Sequence, residues 1–341
     1  MSKDEFIAEW YNDSPTIMVH TSGSTGKPKP MLVEKRRMEA SARITCHFLG
    51  LRPGDTALLC LPLDYIAGKM MVVRALTCGL KLVTTEPCGQ PSWEGHIDFA
   101  AMVPMQVYNL MLTEQGRQRL MDISHLIIGG GSIDHRMAEV LKDFPHAVWS
   151  TYGMTETLSH IALRRLSGPE ASEWYTPFNG VTLSQTSDGC LIIDAPAVHD
   201  GPLVTNDIVE FRPQQRYDET VQLQPQQPSS DTSCRCHLFR VVGRKDNIIC
   251  SGGIKIQIEE VERLLSPHLH VPYLITKCPD EKFGEAVVLL TEGHVTEATA
   301  VCHQVLPKYW QPHHYVHVAS IPLTATGKPA RQEAEKLARQ K

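Results

Sequence analysis

The chain has 341 residues, 42% hydrophobic and 21% charged, with 33 Lys+Arg against 38 Asp+Glu and a formal charge of -5. This is the balance of a globular protein long enough for two or three domains, and with no basic block it argues against nucleic acid as a partner. It opens MSKDEFIAEWYNDSP, polar and acidic, without the charged-then-apolar order of a signal peptide. No apolar run reaches the roughly 18 residues of a membrane span. Ten cysteines are scattered, with Cys46, Cys60 and Cys250 inside apolar stretches, as in reduced cytoplasmic proteins. Cys234 and Cys236 form one C-x-C without a second pair, a weak metal signal.

Short apolar runs alternate with amphipathic stretches, which predicts an α/β protein. Thr16–His20 reads as a strand entering a Gly/Ser/Thr loop, and residues 34–49 as a helix stopped at Gly50. A strand follows at 57–61, a helix at 68–78 closed by Gly79, and a strand at 80–84. Residues 126–128 read as a strand meeting Gly129, Gly130 and Gly131, with a helix over 133–144. Residues 147–150 lead into 151–156. From 212 to 236 the chain is rich in Gln, Pro and Ser and reads as a loop between strands at 208–211 and 238–242. The last hundred or so residues read as a small α/β unit with pieces at 254–265, 273–277, 285–290 and 316–318.

The strongest local signal is Thr21-Ser22-Gly23-Ser24-Thr25-Gly26-Lys27-Pro28-Lys29. Glycines let backbone amides approach a ligand, hydroxyls bond phosphate oxygens, and two lysines supply positive charge. It is not a Walker loop, which has four residues between its glycines and Ser or Thr after its lysine. A mobile Ser/Gly turn is the plain alternative. Such a turn requires neither the two lysines nor the hydroxyls after an apolar strand.

The segment resembles the phosphate signature of the adenylate-forming superfamily: acyl-CoA synthetases, luciferases and adenylation domains. Further matches follow in that family's order. Tyr152-Gly153-Met154-Thr155-Glu156 resembles Y-G-x-T-E, and Thr205-Asn206-Asp207 resembles T-G-D. Gly243-Arg244-Lys245-Asp246, Ser251-Gly252-Gly253 and 259–262 resemble the hinge and the loop beyond it. Pro322-Leu323-Thr324-Ala325-Thr326-Gly327-Lys328 resembles the terminal lysine motif.

The resemblance implies an α/β fold: a large ATP- and acid-binding domain over 1–245, and a small mobile C-terminal α+β lid over 246–341. It implies ATP, Mg²⁺ and coenzyme A as cofactors and a small carboxylic acid as substrate; a homo-oligomer is compatible with it. Thr21, Ser22, Gly23, Ser24, Thr25, Gly26, Lys27 and Lys29 would hold the β- and γ-phosphates. Glu156 would hold the metal, Thr155 the α-phosphate, Gly129–Gly131 with Tyr152 and Gly153 the adenine, and Asp207 beside Arg244 the ribose. Lys328 would bridge carboxylate and α-phosphate, then withdraw as the lid turns about Asp246 and Gly252 and Gly253 enter. Singly, each residue has a plain alternative: Glu156 a first-turn helix residue, Asp207 a turn residue, Lys328 a solvated lysine.

The chain departs from the pattern in starting just before the phosphate loop, without the usual N-terminal subdomain. Asn206 replaces a Gly, Ile258 a Pro, and Pro30 the Gly after Lys29. Tyr65 stands where the family often has His near the reacting carboxylate, and Tyr cannot become cationic. The stretch L-P-L-D-Y-I-A-G-K-M-M-V-V-R-A-L, with A-M-V-P-M-Q-V-Y-N-L-M after it, most resembles the o-succinylbenzoate–CoA ligases of menaquinone biosynthesis. Their substrate keeps an unreacted carboxylate that wants a cation. Lys69 and Arg74 are the candidates, with surface or core-capping charge as the equal alternative. Other aryl or short-chain acid–CoA ligases, a carrier-protein-loading enzyme and a catalytically dead nucleotide-binding scaffold remain rivals. Glu156, Asp207, Arg244 and Lys328 argue against the last.

Overall fold

Ser2 starts the first helix. Its hydroxyl accepts from the Glu5 amide at 3.2 Å, and the Glu5 carboxylate accepts from the Ser2 amide at 2.7 Å. This reciprocal pair satisfies two amides that a helix start leaves open. The helix, α1 (Lys3–Trp10), turns Phe6 and Trp10 into the core. By sequence the segment reads only as polar. Two large side chains four apart are a sparse pattern, yet burying each contributes about 1.5–3 kcal/mol.

The structure is a computed structural model describing residues 1–20, 30–131, 133, 135–213, 238–324 and 329–339. Strands β1 (Thr16–His20) and β2 (Pro30–Glu34) pair antiparallel, and α2 (Lys35–Leu49) follows. Then come β3 (Thr56–Leu59), α3 (Ile66–Cys78), β4 (Lys81–Thr84), β5 (Ile97–Met102), α4 (Pro104–Met111), α5 (Glu114–Met121) and β6 (Ile123–Ile128). After these come α6 (His135–Lys142), β7 (Ala147–Gly153), β8 (His160–Arg165) and β9 (Thr176–Pro177). Seven strands form one sheet in the order β4-β3-β5-β6-β7-β8-β9, parallel from β4 to β7 and antiparallel beyond.

Alternate side chains of this sheet enter different cores. Phe99 and Ala101 join the cluster containing α2 and α3 residues, while Ala100 and Met102 join the one containing α4 to α6 residues. A sheet buried on both faces reads as continuous apolar runs; β3, β4, β6 and β7 read that way in the sequence, while β5 was not read as a strand. The chain moves from β3 outward to β4, then returns to place β5 on the other side of β3. Such a reversal opens a crevice beyond the carboxyl ends of the two strands, the usual ligand position in open α/β sheets. The loops that leave β3 and β5 there carry Pro62–Tyr65 and Val103.

The opposite end of the sheet is tied by His96. Its Nδ1 lies 3.2 Å from Asp122 and its Nε2 3.4 Å from Asp98, which also accepts from the Thr56 amide at 2.7 Å. Burial pulls the imidazole down, but the two carboxylates outweigh it and hold its pKa above 6.5. A raised folded-state pKa stabilises below the unfolded value, and the contribution disappears as pH rises through the folded value. His96→Asn should therefore lower Tm at about pH 5.5 and converge on wild type near pH 8.5. An equal Tm difference at both pH values would exclude the ion-pair account.

A second sheet is antiparallel in the order β10 (Thr182–Gln185), β11 (Cys190–Asp194), β12 (Leu203–Phe211) and β13 (Phe239–Arg244). Phe211 pairs with Phe239, and the Arg212 amide donates to Leu238 at 2.8 Å. The ladder is complete where residues 214–237, which include Cys234 and Cys236, fall outside the described residues. Replacing 214–237 with a short hairpin turn should leave Tm and turnover nearly unchanged; a fall in Tm of ten degrees would show that the segment packs.

The third sheet contains β14 (Ile248–Ser251), β15 (Ile254–Gln257), β16 (Tyr273–Asp280), β17 (Gly284–Thr291) and β18 (His314–His317), with α7 (Ile258–Leu265), α8 (Val295–Val305) and α9 (Arg331–Arg339). Its two core clusters draw only on residues from Ile249 onward. The piece expected at 254–265 is a strand and then a helix, dividing between Gln257 and Ile258. Among the described residues no helix is long and apolar enough to cross a membrane, and none of the eight described cysteines is in a disulfide.

Candidate active site

The motif at the end of β7 is built on a close approach. A Cβ on Gly153 would lie 2.3 Å from the Ser159 carbonyl oxygen and 2.6 Å from the His160 Cα, so no side chain fits there. The chain then makes a tight turn over Thr155–Thr157. The Thr157 hydroxyl donates to the Ser159 carbonyl at 2.7 Å, and the Leu158 amide donates to Thr155 at 2.9 Å. Leu158 closes the turn at φ +64°, the lone non-glycine positive φ among the described residues. Such strain persists where the surroundings over-determine the backbone, and functional turns are a common setting.

Thr155 is buried in this turn. The Glu156 carboxylate has no hydrogen bond or ion pair among the described residues. An unengaged carboxylate on a rigid turn suits a metal that keeps water and phosphate oxygens as its other ligands, as Mg²⁺ does.

Asp207 on β12 is placed opposite Arg244 on β13. Arg244 Nη1 donates to its Oδ1 at 3.2 Å, and Tyr152 Oη donates to its Oδ2 at 2.7 Å. Burial first, then Asp207, pushes the phenol above its usual pKa, so it remains a donor. A carboxylate has about four lone-pair sites, which leaves Asp207 capacity to accept two more hydroxyls. Gly129–Gly131 follow β6, the neighbouring strand, with the Gly129 amide donating to Met102 at 3.1 Å.

Beyond β13, Arg244 Nη2 also donates to Asp246 at 2.9 Å, and Asn206 Nδ2 donates to Asp246 at 3.1 Å. The expected hinge residue is thus bonded to the neighbours of the expected ribose acceptor. Gly252 and Gly253 form the turn between β14 and β15. Gly253 has φ +83°, a conformation that L side chains rarely adopt.

The two candidate cations have different surroundings. Lys69 is 3% exposed, but its Nζ donates to the Met18 carbonyl at 2.6 Å and lies 5.7 Å from the Phe6 ring centre. Burial lowers its pKa. It fastens α3 to β1 and α1. Arg74 is 2% exposed and reaches across the fold, its Nη2 donating to Ser159 Oγ at 2.7 Å. Among the described residues its other contacts are the Met71 sulfur at 3.8 Å and the Phe99 ring at 5.9 Å, and its Nε has no hydrogen bond there. Burial lowers the guanidinium to about 10. Tyr65, half-exposed, lies at the N-terminus of α3. Residues 21–29 and Lys328 lie outside the described residues. Ser159 and His160 carry no spacing signal and were not legible in the sequence.

The parallel sheet carries the strained turn at its end, and the Asp207–Arg244 pair lies on the second sheet. A model of the family described as AMP-binding enzyme matches residues 3–187, more than half of the chain, and the chain belongs to that family. It is 32% identical to an acyl-CoA synthetase (AMP-forming)/AMP-acid ligase II-like protein from Dyadobacter fermentans, covering 98% of this chain and 93% of that one, with a TM-score of 0.62. It is 24% identical to a 2-succinylbenzoate–CoA ligase from Bacillus cereus, over 98% of this chain and 73% of the relative. Its fold is similar to an o-succinylbenzoate coenzyme A synthetase from Bacillus subtilis in complex with ATP and magnesium, at 20% identity and TM-score 0.70, covering 93% of this chain and 69% of that one.

Proposed function

We propose that the enzyme joins o-succinylbenzoate to coenzyme A in two steps. The substrate carboxylate attacks the α-phosphorus of ATP, giving acyl-adenylate and pyrophosphate; the CoA thiol then displaces AMP to give the thioester. The observation that carries the choice of acid is Arg74. No carboxylate pairs with this buried guanidinium among the described residues. An uncompensated buried charge costs several kcal/mol. The unreacted carboxylate of a dicarboxylic acid would relieve that cost. Met71, whose sulfur it contacts, and Met70 in the same core are buried and suited to a ring. The likeness to 2-succinylbenzoate–CoA ligases supports the same reading.

Bringing two anions together is the difficulty, so positioning and electrostatics carry the rate. In this scheme residues 21–29 hold the β- and γ-phosphates and Thr155 the α-phosphate. Gly129–Gly131 and Tyr152 flank adenine, and Asp207 accepts from the ribose hydroxyls. Mg²⁺, held by Glu156, neutralises phosphate charge. Lys328 bridges carboxylate and α-phosphate. Residues 246–341 then turn about Asp246 against residues 1–245, bringing Gly252 and Gly253 to the thiol path. Tyr65 borders the reacting carboxylate. Pyrophosphate release measured with a panel of acids tests the assignment. o-Succinylbenzoate should exceed benzoate and 4-phenylbutyrate by at least about two orders of magnitude in kcat/KM. If a monocarboxylate leads, the acid assignment falls and the family stands.

A further inference from the structure

His160, at the start of β8, is 7% exposed, and both ring nitrogens are bonded. Its Nε2 is 3.2 Å from Thr45 Oγ1 on α2, and its Nδ1 is 3.2 Å from Ser159 Oγ. The direction of every bond in this chain is determined by its ends. The Thr45 hydroxyl donates its single proton to the Ser41 carbonyl at 3.1 Å, so toward His160 it accepts. Nε2 must then carry the imidazole proton, which leaves Nδ1 bare. Ser159 therefore donates to Nδ1 and turns its lone pairs toward Arg74. From the other end the answer is the same. A guanidinium only donates, so Ser159 Oγ accepts from Arg74 Nη2 at 2.7 Å and its proton is free for Nδ1.

We propose that His160 is a positioning residue for acid selection. As the neutral Nε2–H tautomer, it orients the Ser159 hydroxyl to hold Arg74 with its Nε free for the carboxylate of the acid. This rests on the reading of Arg74 given above. Burial and the neighbouring Arg74 both hold His160 well below 6.5, so it stays neutral and does not add a second cation beside Arg74. Without a bare Nδ1, Ser159 Oγ would be free to rotate, and Arg74 would lose the one oxygen partner it has among the described residues.

Kinetics on four variants, with o-succinylbenzoate and 4-phenylbutyrate as paired substrates, test this. His160→Leu and Ser159→Ala should each raise KM for o-succinylbenzoate roughly 10- to 100-fold, the range typical of residues that orient a binding group. KM for ATP and for 4-phenylbutyrate, and kcat for o-succinylbenzoate, should change little. His160→Asn should restore most of the loss, because its Oδ1 stands where Nδ1 stood and accepts from Ser159. A general loss with both acids in His160→Leu and Ser159→Ala alike would mean a structural role and overturn the proposal. Arg74→Met separates the two levels. If it abolishes the preference for o-succinylbenzoate while His160→Leu and Ser159→Ala do not, the relay fails and the acid assignment stands. If it leaves the preference intact, the acid assignment fails and the relay with it. Independently of activity, ¹⁵N NMR of histidine-labelled protein, assigned by loss of the signal in His160→Asn, should show a neutral Nε2–H imidazole that does not titrate between about pH 8 and 5. A titrating or Nδ1–H imidazole would overturn the proposed tautomer.

Discussion

Lys328→Ala should lose ATP–pyrophosphate exchange by about 10²–10³-fold and still convert supplied acyl-adenylate to thioester. Attack of one anion on another requires a cation at the point of approach, and removing a single preorganised donor from such a site commonly has this effect. The lysine belongs to the 246–341 segment, whose core is separate from that of the large sheet. Rotation of that segment in the second step would carry the lysine away, so thioester formation should not need it. Gly253→Leu should show the opposite pattern. Its φ of +83° strains a leucine, and the side chain would enter the thiol path while pyrophosphate exchange continues. Both half-reactions should be measured on each variant. Equal loss of the two half-reactions in Lys328→Ala would refute the two-position scheme.

Arg74→Met should lower kcat/KM for o-succinylbenzoate by about two to three orders of magnitude and leave 4-phenylbutyrate within a few-fold of wild type. The asymmetry follows from burial. In the free enzyme the guanidinium has a hydroxyl, a thioether and a ring face as partners, and methionine, shorter and apolar, replaces it without leaving a buried charge. In the complex the same substitution leaves the second carboxylate unpaired in an apolar pocket. Lys69→Ala should behave differently. Its ammonium is engaged by the Met18 carbonyl beside Phe6, so the loss should fall on Tm with little change in acid preference. A larger selectivity change in Lys69→Ala than in Arg74→Met would reverse the assignment of the two cations.

The nucleotide motifs stand out in the sequence because the residue types that phosphate and ribose chemistry requires lie close together along the chain. Glycine, hydroxyl and lysine at 21–29, and Thr155 with Glu156 on one turn, are local patterns. Strands β3, β4, β6 and β7 were legible as apolar runs, while β5 was not read, and helices α2 and α3 were legible by their stops at Gly50 and Gly79. Helix α1 was not, because its two buried side chains gain their effect only from the core that receives them.

The sequence by itself thus determined the family motifs, their order and an α/β fold. It left Lys69 and Arg74 equal. Only the tertiary structure separated their surroundings, because packing decides the partner that each side chain meets. Those partners are distant in the chain: Met18 is 51 positions from Lys69, and Ser159 is 85 positions from Arg74. Tyr152 meets Asp207 across 55 positions and Thr45 meets His160 across 115. Strand order and helix packing decide these meetings, and a hydrogen bond formed by the packing of distant segments leaves no periodicity in the sequence that forms it.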